Sequence, residues 1–223
     1  MSRLDREEDA RLQRLIRTHT RNVQPPLTPE LRIHGADDYA SIWSATEAEL
    51  RNMALRPPFW AFAWAGGQAL ARWLLDHPRD VAGKTVLAIG AGCGLEALAA
   101  ARSGAAESIA NDVDPAAIVA AKMNADLNNV QLMLDETNWL NEASLPDADI
   151  ILAGDVFYEK TLGEQLESRL RAAQRRGAVV LIGDPGRNYA PAEGMKTLNS
   201  YAVPVPVELE DVAERVAEVC ALC

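Results

Sequence analysis

The chain has 223 residues, 48% hydrophobic and 24% charged, enough for one buried core with a modest extension and unlike a fibrous or disordered chain. Its 22 basic residues stand against 32 acidic ones, a net charge of −10, so a polyanion-binding surface is disfavoured and nucleic acid is not an expected partner, whereas a basic target is compatible. No apolar run approaches the roughly 20 residues that span a bilayer; the start has no apolar signal core, and its acids Asp5, Glu7, Glu8 and Asp9 argue against a transit peptide, so a cytoplasmic protein without membrane association is expected.

In chain order, Leu12, Leu15 and Ile16 share one helix face. Pro25, Pro26 and Pro29 interrupt the chain, and a second helix is predicted from about Asp37 to Met53. Arg56-Pro57-Pro58 closes it, so residues 1–58 form a helical extension, a lid or brace on one domain spanning 59–223. From Phe59 to Leu75 the chain is apolar and helix-compatible from about Gly67. Thr85 to Ile89 is a short apolar strand, Glu96 to Ser103 an alanine-rich helix, and Ser108 to Asn111 a strand leading into Asp112. Pro115 suits a helix start, with Ala116 to Leu127 following. Val130 to Leu134, Ala148 to Ala153 and Ala178 to Ile182 are buried-type strands. Between the last two, Thr161 to Arg175 is a helix with Leu162, Leu166 and Leu170 on one stripe.

Strands apolar on both faces and separated by helices predict a doubly wound, Rossmann-like α/β fold with a mostly parallel sheet. The end differs: Tyr201 to Glu208 alternates around Pro204 and Pro206, and Val216 to Leu222 is apolar. An antiparallel pair closing the sheet is expected, although Val212, Val216 and Val219 also have helical spacing. Cys220 and Cys223 form a C-x-x-C pair without a second pair or nearby histidine, which suits small apolar packing better than zinc.

The most informative segment is Val86-Leu87-Ala88-Ile89-Gly90-Ala91-Gly92-Cys93-Gly94, a strand running into a G-x-G-x-G turn and then a helix. Glycines let the backbone turn sharply against a ligand, and the helix start adds unpaired N–H groups. A dinucleotide fingerprint wants its third glycine at position 95, which is Leu95; Gly94 fits an S-adenosylmethionine site instead. The next strand ends at Asp112, where a carboxylate takes both ribose hydroxyls. A third strand ends at Asp135, placed to accept from the adenine amino group. Gly90, Gly92, Gly94, Asp112 and Asp135 are therefore the candidate cofactor residues. For any one aspartate, a helix cap or a solvated loop charge is the plain alternative.

Three further segments carry a resemblance: Pro57-Pro58-Phe59-Trp60-Ala61-Phe62-Ala63-Trp64-Ala65-Gly66-Gly67, Gly154-Asp155-Val156-Phe157-Tyr158, and Gly183-Asp184-Pro185-Gly186-Arg187. Over almost its whole length the chain resembles the seven-β-strand protein lysine methyltransferases, and within them the electron transfer flavoprotein β-subunit lysine methyltransferases. The resemblance implies a seven-stranded class I methyltransferase sheet, S-adenosylmethionine as cofactor and a protein substrate, the flavoprotein β-subunit or another lysine-bearing protein. It also implies roles: Trp64 beside the cofactor, Asp155 and Tyr158 as the acid and aromatic that meet the target lysine, and the Gly183–Arg187 turn shaping the site. One position departs. Relatives carry an aspartate two residues before the first glycine, holding the methionine end of the cofactor, where this chain has Ala88. Another carboxylate such as Glu96 could compensate, cofactor affinity could be weaker, or activity could be lost.

The implied reaction moves a methyl group from a sulfonium to a neutral amine, so the task is alignment and desolvation. Lysine has a reference pKa of about 10.4, and a nearby carboxylate favours its ammonium form. Asp155 is thus expected to capture and orient the lysine, with Phe157, Tyr158 and the sulfonium pushing it toward neutrality. A small-molecule N-methyltransferase and a non-catalytic cofactor-binding module are the alternatives.

Overall fold

The computed structural model describes residues 3–36, 42 and 57–223, with side chains from Glu7 onward. The predicted helix from Asp37 to Met53, and Trp43 within it, lie outside the described residues apart from Ile42. Helix α1 (Arg3–His19) leads into a two-stranded antiparallel ribbon, β1 (Arg21–Val23) with β2 (Ile33–Gly35). A 3₁₀ turn at Phe59–Ala61 precedes α2 (Ala65–Asp76) and the short α3 (Pro78–Val81). The alternating part follows as β3 (Thr85–Ile89), α4 (Leu95–Arg102), β4 (Glu107–Asn111), α5 (Pro115–Asn128), β5 (Met133–Asp135), β6 (Ile150–Gly154), α6 (Lys160–Arg175) and β7 (Val179–Asp184). The chain closes with β8 (Met195–Pro204), α7 (Val207–Glu210) and β9 (Glu214–Leu222).

The strands form one seven-stranded sheet in the order β5-β4-β3-β6-β7-β9-β8. Strands β3 to β7 pair in parallel, while β9 runs antiparallel to both β7 and β8. This is the doubly wound sheet, with the antiparallel closing pair, that the sequence predicts. The order reverses between β3 and β6, so the strand tips open a crevice there, where such sheets bind ligands.

Period-two alternation divides the strand side chains between two layers. Val86, Ala88, Ile150, Leu152 and Leu181 pack with α2 and α4, whereas Leu87, Ile151, Ala153, Val180 and Ile182 pack with Leu166 and Leu170 of α6. Burying each such aliphatic side chain contributes about 1.5–3 kcal/mol. On the N-terminal side, Leu12, Leu15 and Ile16 of α1 cluster with Ala116, Ala120 and Met123 of α5 and with Trp60.

Four details differ from the sequence reading. The ribbon β1–β2 is not in it, because three-residue strands carry too little pattern. Asn124 and Asn128 on α5 hold the second half of the ribbon: Asn124 Oδ1 accepts from the His34 N–H at 2.7 Å, and Asn128 Oδ1 from the Arg32 N–H at 2.9 Å. Strand β5 begins only at Met133, since Asn129 adopts φ 54° and the Val130 N–H closes α5 by donating to Ala125. At the C-terminal end, β8 lies six residues earlier than Tyr201, and Val207–Glu210 is a helical turn entered at Pro206. The helical spacing of Val212, Val216 and Val219 is incidental; Val216 and Val219 lie in β9. Among the described residues, no helix is long and apolar enough to cross a membrane.

Candidate active site

The glycine loop joins β3 to α4, and its geometry explains two of its glycines directly. Gly90 has φ +64°, and a Cβ there would lie 2.7 Å from the Val156 side chain. Gly94 has φ +79°, and a Cβ would lie 2.9 Å from Ala121 on α5. Any larger residue would strain the backbone and push α4 off α5. The Gly92 N–H donates to Asp112 Oδ2 at 2.9 Å, and the Asp114 N–H donates to Asp112 Oδ1 at 3.0 Å. The carboxylate of Asp112 is therefore oriented by two backbone amides at the tip of β4. Asp114 caps α5, accepting from the Ala116 N–H at 2.9 Å, and Pro115 takes the first helical position.

Asp135 ends β5, as expected, and is engaged by its neighbours. Its carboxylate accepts from Trp139 Nε1 at 2.6 Å, Asn111 Nδ2 at 3.0 Å and the Thr137 N–H at 3.0 Å. Burial pushes this carboxyl up, but the bonds from Thr137, Trp139 and Asn111 outweigh it and hold it below the usual carboxylate range. It stands behind the wall and shapes Thr137-Asn138-Trp139, which line the crevice. Trp139 is thus a wall residue as well as packing.

At the opposite end, α2 starts at Ala65 with Trp64 as its N-cap. Gly66 and Gly67 lie inside the first turn of this helix. A Cβ on Gly66 would come 2.1 Å from the Gly183 carbonyl, so α2 can rest on β7 only without side chains there. Asp155 follows β6 at φ 55° and is almost fully buried. Its carboxylate takes the Gly66 N–H at the start of α2 on one oxygen and Arg187 on the other, at 2.9 Å from Nε and 2.8 Å from Nη2. Burial pushes the Asp155 carboxyl above its ordinary range, while the Arg187 charge and the Gly66 N–H pull the other way. Arg187 also reaches Glu210 Oε1 at 2.9 Å, and Glu210 in turn binds Arg215 at 3.1 Å. The Arg187 guanidinium lies 5.9 Å from the Trp64 ring centroid.

Asp184 fixes the turn carrying Arg187: its Oδ1 accepts from the Gly186 N–H at 2.7 Å and the Arg187 N–H at 2.6 Å. Burial, helped by the Asp155 charge, pushes the Asp184 carboxyl up to about 6. Tyr158 is 54% exposed at the mouth, its ring 5.6 Å from Phe59. Phe157 points the other way into the core with Leu166 and Leu170, so it cannot desolvate a bound amine as expected.

One cavity of about 680 Å³ joins these parts. Trp64, Gly90, Gly92, Asp112, Asp155 and Tyr158 all line it, whereas Gly94 and Asp135 stand behind it. Glu210 lines it too and is absent from the sequence reading. It lies in the acidic stretch Glu208-Leu209-Glu210-Asp211, where nothing but burial singles it out. The donor set suits an adenosyl sulfonium: oriented carboxylates and backbone amides at one end, and the acids Asp155 and Glu210 against the one lining guanidinium, Arg187, at the other. Cys93 is buried, its thiol pushed up to about 12, and takes no part as a nucleophile.

The sheet order and this crevice are those of the class I methyltransferase fold. The fold agrees with the magnesium protoporphyrin IX methyltransferase of Synechocystis PCC 6803 solved with bound S-adenosylmethionine. That structure has a TM-score of 0.50 at 13% identity, covering 69% of this chain and 77% of that one. A family model described as ribosomal protein L11 methyltransferase (PrmA) matches residues 71–169. Two relatives are named electron transfer flavoprotein β-subunit lysine methyltransferase. The Xenopus laevis protein is 42% identical over 77% of this chain and 69% of its own length. The Danio rerio protein is 41% identical over 72% of this chain, which spans only 62% of that relative. The chain belongs to the electron transfer flavoprotein β-subunit lysine methyltransferase family.

Proposed function

We propose that this chain transfers a methyl group from S-adenosylmethionine to a lysine of a protein, and that the electron transfer flavoprotein β-subunit, named in its relatives, is the target. The observation that carries this is the continuity of the crevice. Its adenosyl half at Gly90, Gly92 and Asp112 opens directly into a half holding Asp155, Tyr158, Arg187 and Glu210. When bound, the cofactor supplies a methyl group on a sulfonium, a good leaving group. In this reading Asp112 holds the ribose hydroxyls, Thr137-Asn138-Trp139 form the adenine side, and Trp64 flanks the reacting end.

The acceptor half then has to seat an amine and strip its proton. Phe59 and Tyr158 flank the mouth and take the aliphatic stem of the lysine. Asp155 and Glu210 attract the incoming ammonium, while Arg187 between them competes for the same oxygens. A fixed guanidinium next to the amine favours its neutral form, as does exclusion of water; both act against the carboxylates. The proton leaves through solvent at the mouth, beside Tyr158. Residues 1–58 serve as a lid or brace, consistent with Pro57 on the crevice wall.

The test is transfer of label from radiolabelled S-adenosylmethionine into a lysate and into purified flavoprotein β-subunit, with mass spectrometry of the product. Label on a β-subunit lysine is the expected result. Label confined to small molecules, or absent altogether, would sink the proposal.

A further inference from the structure

Behind the crevice wall lies a carboxylate with no cation paired to it among the described residues. Glu96 stands in the first turn of α4, directly after the glycine loop, and is 5% exposed. It occupies a slot that two glycines leave open. A Cβ on Gly154 would lie 2.3 Å from Glu96 Oε1, and one on Gly67 would lie 2.9 Å from it. Gly154 is itself part of the crevice wall, so the carboxylate approaches the cavity where a side chain is missing. Its own backbone N–H favours the ionised form, against burial.

The surroundings make its charge costly. Asp155 at the tip of β6 and Asp112 at the tip of β4 face it, Cys93 adjoins it in the loop, and α2 meets it at Gly67. Burial first, then repulsion from Asp155 and Asp112, pushes its carboxyl from 4.5 up to about 8. A buried acid among acids is kept neutral, or is ionised by an arriving cation. On β3, Ala88 packs in the same cluster as Leu95 and Ala97 of α4, and no acid projects from that strand position.

We propose that Glu96 is the carboxylate that receives the α-ammonium at the methionine end of S-adenosylmethionine, replacing the acid that position 88 lacks. The inference rests on the crevice being the adenosylmethionine site. Binding then ionises Glu96, its proton passes to solvent, and the carboxylate pairs with the ammonium of the ligand.

The test is calorimetry of the full chain with S-adenosylmethionine at about pH 6.5, in two buffers of different ionisation heat. The wild type should release close to one proton per cofactor bound. Glu96→Gln, which keeps size and shape, should release none and bind about tenfold to hundredfold more weakly. Adding Ala88→Asp to Glu96→Gln should recover part of the affinity. Unchanged affinity in Glu96→Gln, or proton release that persists in it, overturns the assignment. A wild-type chain that takes up no cofactor would instead bring down the crevice assignment on which it rests.

Discussion

The two halves of the crevice are built by different means. The adenosyl half comes from one stretch of chain, Gly90 to Asp114, plus Thr137–Trp139, and works through short-range bonds: loop amides on Asp112, and Asn111 bridging the tips of β4 and β5. The acceptor half gathers Trp64, Asp155, Arg187 and Glu210 from four separate segments and joins them through charge. Local turns are rigid and suit a ligand of fixed shape. A network of carboxylates around one guanidinium can exchange partners, which suits a half that, in the proposed reaction, admits and releases a lysine.

That contrast can be broken one half at a time. The largest effect is expected from Asp155→Asn, which removes the acceptor charge while keeping its shape. Methyl transfer to the protein substrate should fall about 100-fold or more, the scale of losing a preorganised charged group. Cofactor affinity by calorimetry should stay within about threefold. Asp112→Asn should do the reverse, weakening cofactor binding about tenfold to hundredfold while leaving the rate at saturating cofactor nearly intact. Equal losses in both parameters for both variants would show that the halves are not separable.

Gly66→Ala tests how closely α2 must approach β7. The added methyl meets the Gly183 carbonyl, so a loss of about 2–4 kcal/mol is expected in chemical denaturation. Asp184 gives a pH signature. Because its folded carboxyl lies near 6 and its ordinary value is 3.8, its contribution to stability is complete below about pH 3.8 and lost as the pH rises through about 6. Thermal melts of Asp184→Asn without cofactor should show a flatter profile over that range, with transfer activity little changed. Smallest of all, Trp139→Phe removes the bond to Asp135 and should cost about 0.5–1.5 kcal/mol; a larger loss of cofactor affinity than of stability would show the indole acting on the ligand itself.

Most of the adenosyl half is legible in the sequence, because glycines, a strand tip and an acid at fixed spacing depend on neighbours along the chain. Asp135 shows the limit of that reading. Its place at a strand end was visible, but three donors from Asn111, Thr137 and Trp139 occupy its carboxylate, and those bonds depend on how β4 and β5 pair. Phe157 and Tyr158 look alike as a motif, yet one fills the core and the other stands at the mouth. The sign of a side chain's direction after a left-handed residue such as Asp155 cannot be taken from spacing.

By itself, then, the amino-acid sequence determined the α/β alternation, the parallel core with its antiparallel closure, the glycine loop and Asp112, since hydrophobic period and turn chemistry are local properties. Tertiary structure alone decided that Arg187 bridges Asp155 to Glu210, that α2 rests on β7 at Gly66, and that Glu96 lies buried beside Gly154. Those contacts join segments far apart in the chain, and only packing of the helices on the sheet brings their charges within reach of one another.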